Sequence, residues 1–130
     1  MADVLIGGGG IAGSSLAILL GRRGLTVELY ERGRFPKEKP CGEGLMPGGV
    51  AVLHRLGLRE AVGGAPFYGV RYHFGRQTAQ GRFPPTSGFP VAGRGQRRKH
   101  LDQVPPRGEL PGKVAWRRGS ASAGRKWPGT

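Results

Sequence analysis

An α/β fold is predicted from three features of the first 31 residues: a short apolar strand signal, a run of glycines directly after it, and an apolar helical stretch leading into a second strand signal. Together they have the length and order of a βαβ unit, whose crossover is right-handed by the general rule. At 130 residues the chain has room for one domain of ordinary size and not for two.

The first strand is read from Asp3, Val4, Leu5 and Ile6. A helix follows over residues 14–23, with Leu16, Ala17, Leu19 and Leu20 at helical spacing and Gly24 as the residue that ends it. Residues 25–30 (LTVELY) alternate and carry β-branched side chains, so they form the second strand. Residues 32–47 are rich in Pro, Gly and charge and fit neither period, which predicts a loop. The next helix starts at Pro47, aligns Val50, Leu53 and Leu56 on one face, and stops at Gly57. Residues 68–74 (YGVRYHF) alternate as a strand, with residues 80–84 as a hairpin partner. A last helix begins near Gln96, with Leu101 and Val104 on one face, and Pro105-Pro106 forbids its continuation.

Beyond Val104 apolar periodicity vanishes. Residues 105–130 hold four Pro, five Gly and six Lys or Arg against one acid, Glu109. The segment is therefore expected to be a disordered Pro/Gly/Arg-rich tail, because it buries too little apolar surface to offset its ordering entropy. Its composition is also what GC-rich codons yield in a shifted frame, in which case another frame should continue the interrupted helix. The expected division is residues 1–104 as a partial nucleotide-binding domain and 105–130 as the tail.

Charge and cysteine content narrow the classes of function. With 21 Lys+Arg against 8 Asp+Glu the formal net charge is +13, so a basic nucleic-acid-binding module is the rival from another class. Trp116 and Trp127 among basic residues fit that rival, yet a disordered tail explains them more simply, and nucleic acid is not the expected partner. A single cysteine, Cys41, rules out an intramolecular disulfide and points to the cytoplasm. No apolar run approaches the roughly 20 residues of a membrane span. His54, His73 and His100 lack metal-ligand spacing, and Ser14 and Ser15 read as packing residues of the first helix.

The glycines carry the sharpest signal. Gly8-x-Gly10-x-x-Gly13 follows a strand and opens a helix, as the dinucleotide fingerprint requires. Gly8 permits the tight turn, Gly10 clears the approach of a pyrophosphate, and Gly13 lets the helix pack closely on the sheet. Ile11 and Ala12 lie between them and supply helix N-terminal amides to the anion. The longer pattern also holds: Ala17 is small where the helix crosses the strands, Gly24 turns the chain, Val27 packs beneath, and Glu31 ends the second strand. From that place a carboxylate accepts hydrogen bonds from the ribose of an adenosine, with Arg32 beside it. One position departs from the pattern. Gly7 stands where an aliphatic residue normally finishes the strand, at a cost of about 0.5–1 kcal/mol.

Residues 3–32, DVLIGGGGIAGSSLAILLGRRGLTVELYER, resemble the N-terminus of FAD-dependent oxidoreductases of the aromatic-hydroxylase-like superfamily. Residues 34–58, with the Cys41-Gly42 pair, are similar to the geranylgeranyl-reductase-like and halogenase-like branches. Arg98-x-x-Leu101-Asp102 resembles the helix start whose arginine approaches the FAD in that superfamily, and a guanidinium there offers several donors to pyrophosphate oxygens.

The resemblance implies an incomplete Rossmann-like FAD/NAD(P)-binding domain. It implies FAD as cofactor, NAD(P)H as the reductant of the complete enzyme, and a small-molecule or lipid-like substrate. The implied activity is monooxygenase-like, with a geranylgeranyl-reductase-like flavoprotein reducing C=C bonds as the alternative. A later Gly-Asp motif of the family is missing: the only aspartates are Asp3 and Asp102, and neither follows a glycine. With a strand order of 3-2-1-4-5, one edge of the first strand is expected to lie unpaired. The adenosine-pyrophosphate half of the site is thus expected, while the half around the isoalloxazine is not.

Overall fold

The computed structural model describes residues 1–34, 44–85, 88, 90–101 and 112–119. In chain order the elements are β1 (Val4–Gly7), α1 (Ile11–Arg22), β2 (Val27–Glu31), β3 (Gly44–Leu45), α2 (Pro47–Arg55), β4 (Ala65–Phe67), β5 (Gly69–Phe74), β6 (Gln77–Arg82), β7 (Gly93–Gly95), α3 (Arg98–Leu101) and β8 (Val114–Arg118). They fall into two compact units, one of Met1–Lys37 with Pro105–Thr130 and one of Glu38–Val104.

The first unit is the expected βαβ unit with a third strand added. β1 and β2 are parallel, with Val4 opposite Val27 and Gly7 opposite Tyr30. β8 lies on the far side of β2, also parallel, with Val27 opposite Val114 and Leu29 opposite Trp116. The order β1-β2-β8 places β8 where the third strand of a 3-2-1 half-sheet belongs. Among the described residues β1 has a neighbour on one side only, as the strand order predicts.

Burial explains why this sheet and helix meet. Ile6, Ala17, Val27 and Leu29 form the buried cluster, and Val4, Leu20, Leu25, Val114 and Trp116 pack against it. Ala17 and Leu29 are fully buried, so the small residue sits where α1 crosses the strands. The helix ends in a Schellman arrangement: Leu25 N–H donates to the Leu20 carbonyl (3.2 Å) and Gly24 N–H to that of Gly21 (3.0 Å). Gly24 adopts φ +87°, the left-handed conformation predicted for its position.

The expectation of disorder after residue 104 is corrected for Val114–Arg118. This stretch is a strand, tied in by Val27 N–H to the Lys113 carbonyl (2.8 Å) and by Gly119 N–H to the Glu31 carbonyl (3.0 Å). Five residues are too few to show through a composition averaged over a Gly/Pro-rich segment, and only Val114 and Trp116 supply core contacts. Residues 105–111 and 120–130 lie outside the described residues.

The second unit contains a small antiparallel sheet, β3-β7-β4, and a separate β5-β6 hairpin. α2 starts at Pro47, buries Val50, Ala51 and Leu53, and is followed by the buried Leu56, as its spacing predicts. The hairpin pairs Gly69–Phe74 with Gln77–Arg82, so its second strand begins three residues earlier than expected. Part of the predicted loop is ordered as strand β3, whose two residues pair with β7. Ring-to-backbone packing holds that sheet: a Cβ at Gly93 would come within 2.4 Å of the Phe67 ring. Of the last helix the described residues hold the turn α3, whose Leu101 is 2% exposed, and Val104 lies outside them.

Candidate dinucleotide site

The site is assembled at the carboxyl end of β1, where the chain turns into α1. Gly8 has φ +103°, a conformation that side chains rarely adopt. Gly8 N–H donates to the Tyr30 carbonyl (2.8 Å), which extends the strand pairing by one residue into the turn. At Gly13 a Cβ would stand 1.9 Å from the Gly8 carbonyl oxygen, so the first turn of α1 lies directly against the turn that precedes it. Of the three glycine requirements inferred from the fingerprint, the backbone geometry shows the tight turn at Gly8 and the close approach at Gly13. Ser14 adds a tie that spacing did not reveal: its hydroxyl donates to the Gly9 carbonyl (3.0 Å), and the residue is 1% exposed.

The N-terminus of α1 leaves its first amides without side-chain partners. Its N-cap, Gly10, is extended and contributes no side-chain cap, and no acidic residue lies in the first turn. The amides of Ile11, Ala12 and Gly13 point out of the first turn without a carbonyl acceptor inside the helix. Ala12 is exposed, and Gly10, Ile11 and Gly13 are half-buried, so this turn is reachable from solvent. Backbone amides and the positive end of the helix dipole act together on a phosphate placed there.

Glu31 closes the turn from the side. It is 4% exposed, and its carboxylate accepts two amides: Gly9 N–H at 2.8 Å and Gly33 N–H at 2.6 Å. The carboxylate thus reaches the glycine turn directly, which places the end of β2 and the start of α1 around one centre. Arg32, next to it, is exposed. Trp116 from β8 lies on the same side: a Cβ at Gly9 would fall 2.3 Å from its ring, and Glu31 Cβ is 3.0 Å from that point. Sequence reasoning missed Trp116 as part of this region because it assigned the tail no structure. Its one visible signal was Gly9, a glycine at a position the fingerprint leaves open.

Arg98 begins α3 in the second unit, and its side chain lies outside the described residues. Cys41 lies outside them as well. No group of three His, Cys, Asp or Glu suited to a metal occurs among the described residues, and no helix there is long and apolar enough to cross a membrane. Away from the site, the Tyr30 hydroxyl holds the Glu28 carboxyl below its ordinary pKa, with Arg117 assisting.

Comparison with known proteins bears on this geometry. A family model described as FAD binding domain matches residues 1–108. The menaquinone reductase of Mycobacterium tuberculosis is 49% identical over 57 residues, which are 44% of this chain and 14% of that protein. The squalene epoxidase erg1 of Aspergillus fumigatus is 46% identical over 63 residues, covering 48% of this chain and 13% of that protein. Among solved structures, the myxobacterial chondrochloren halogenase CndH, a FAD-dependent halogenase, aligns with TM-score 0.69 and 29% identity over 90% of this chain and 28% of the other. A flavoprotein/dehydrogenase from Cytophaga hutchinsonii aligns with TM-score 0.67 and 26% identity over 88% of this chain and 30% of the other.

Proposed function

This chain belongs to the FAD binding domain family, within the FAD-dependent oxidoreductases and monooxygenases, and from that membership we propose that its glycine turn holds the adenosine-diphosphate part of FAD. The observation that carries the reading is the N-terminus of α1, without a side-chain cap, held against the glycine turn by a Gly8–Gly13 contact that a Cβ at Gly13 would break. In it the amides of Gly10, Ile11, Ala12 and Gly13 receive the diphosphate. Glu31 offers its carboxylate to the ribose while it holds Gly9, and Arg32 flanks the adenosine. Arg98 is assigned to the flavin's phosphate side on the strength of its sequence pattern.

When bound, the flavin supplies electron transfer between a nicotinamide and a substrate or dioxygen. The residues in hand orient its nucleotide half and neutralise the diphosphate with fixed dipoles, which costs no rearrangement on binding. Because the matched stretch spans 14% of the menaquinone reductase, the activity belongs to a longer architecture than these residues build. We assign that architecture a monooxygenase-like reaction on a small or lipid-like molecule in the cytoplasm, with NAD(P)H as reductant. Reduction of C=C bonds is the second reading, favoured by the match to a menaquinone reductase. Dioxygen uptake in step with NAD(P)H oxidation distinguishes the first from the second.

Equilibrium dialysis with FAD, ADP and FMN tests the assignment for this chain. FAD and ADP are expected to bind and compete, weakly and with little NAD(P)H turnover, while FMN, which lacks the adenylate, does not bind. Equal binding of FMN and FAD, or no displacement of FAD by ADP, overturns it.

A further inference from the structure

Four glycines run from Gly7 to Gly10, and the fingerprint accounts for Gly8 and Gly10 only. Gly9 has no left-handed φ that would require it. What it has is a neighbour: the space a Cβ would take lies 2.3 Å from Cη2 and 2.9 Å from Cζ2 of Trp116. The indole stands on β8 opposite Leu29 and packs on the cluster of Ile6, Ala17, Val27 and Leu29. Its far edge therefore reaches across the end of β2 to the glycine turn.

That edge lies beside Glu31, whose near-complete burial is unusual for a carboxylate. The bond from Gly9 N–H to Glu31 Oε2, 2.8 Å long, is itself buried. A charge-assisted hydrogen bond shielded from water is stronger than an exposed one, and it fixes the groups it joins. Gly9 belongs to the turn that meets the diphosphate, and Glu31 is the group offered to the ribose.

We propose that Trp116 is a positioning residue of the dinucleotide site: its indole, fitted to the bare Gly9, shields the Gly9–Glu31 bond and so sets the turn and the carboxylate before the nucleotide arrives. The inference rests on the FAD reading above.

The test uses the full chain with Trp127→Phe, which leaves Trp116 as its single tryptophan. Indole emission is read for this parent and for Gly9→Ala, and the dissociation constants of ADP and FAD for both and for Trp116→Phe, Trp116→Leu and the Gly9→Ala/Trp116→Leu pair. Gly9→Ala is expected to displace the ring, shift its emission to the red and weaken both ligands about tenfold, the equivalent of one good hydrogen bond. Trp116→Phe keeps a ring in place and holds affinity within about threefold, whereas Trp116→Leu loses about tenfold. Because the added methyl meets no indole in the pair, the pair binds no more weakly than Trp116→Leu alone.

Unchanged emission in Gly9→Ala, equal affinity in all variants, or penalties that multiply in the pair overturn this inference alone. A parent that binds neither FAD nor ADP overturns the cofactor reading and this inference with it. Should Trp116→Leu fail to fold, Gly9→Ala and Trp116→Phe still decide between the outcomes.

Discussion

At Gly13 a single methyl group separates a closed turn from a clash. The obstructing atom is a backbone carbonyl oxygen 1.9 Å from the Cβ position, so no side-chain rotation relieves it. Gly13→Ala is expected to destabilise the first unit by about 1–3 kcal/mol, the range for overpacking, and to abolish nucleotide binding. Urea unfolding together with ADP titration checks both effects, and wild-type affinity in this variant would refute the close approach. Gly8 and Gly13 were legible in the sequence because their requirement is local, set by the geometry of one turn. Glu31 was legible as a carboxylate at the strand end. Its bonds to Gly9 and Gly33 were not, since they depend on how the turn folds back over β2. Trp116 was illegible as a neighbour of Gly9 because 107 positions separate them and no periodicity links the two.

Among the elements, β8 departs most from expectation. Its pairing with β2 predicts slow amide exchange at residues 114–118, comparable to that of β2, whereas a disordered tail exchanges within the dead time. Hydrogen exchange read by NMR decides between them. β1, α1, β2 and α2 were legible because each carries its own period and stop signal, down to the left-handed Gly24. β3, β4 and β7 were not, because strands of two or three residues carry no readable alternation.

α2 also carries a pH dependence. Burial, aided by Arg59 and Arg94, lowers the pKa of His54 below its ordinary value. The unfolded chain then binds a proton that the folded one resists, so the stability contributed by neutral His54 is present above about pH 6.5 and is lost as pH falls through the lower folded value. Urea midpoints at about pH 7.5 and about pH 5.5 should fall more on acidification in the wild type than in His54→Gln, and equal falls would contradict the assignment.

For the whole molecule, a formal net charge of +13 acts on any anion, and so by itself discriminates nothing. What distinguishes a diphosphate site from a diffuse basic surface is locality: fixed amides at one helix terminus, flanked by Glu31, against cations spread over the chain. The family match over residues 1–108 and the alignment with FAD-dependent enzymes agree with the local reading. The most direct measurement is therefore a ¹⁵N-resolved titration with ADP, following every assigned amide of the chain. A diphosphate seated on the glycine turn predicts the largest shifts at Gly8 to Gly13, saturating together at one ADP per chain. Shifts distributed over the arginine and lysine positions, with Gly8 to Gly13 unmoved, would contradict it.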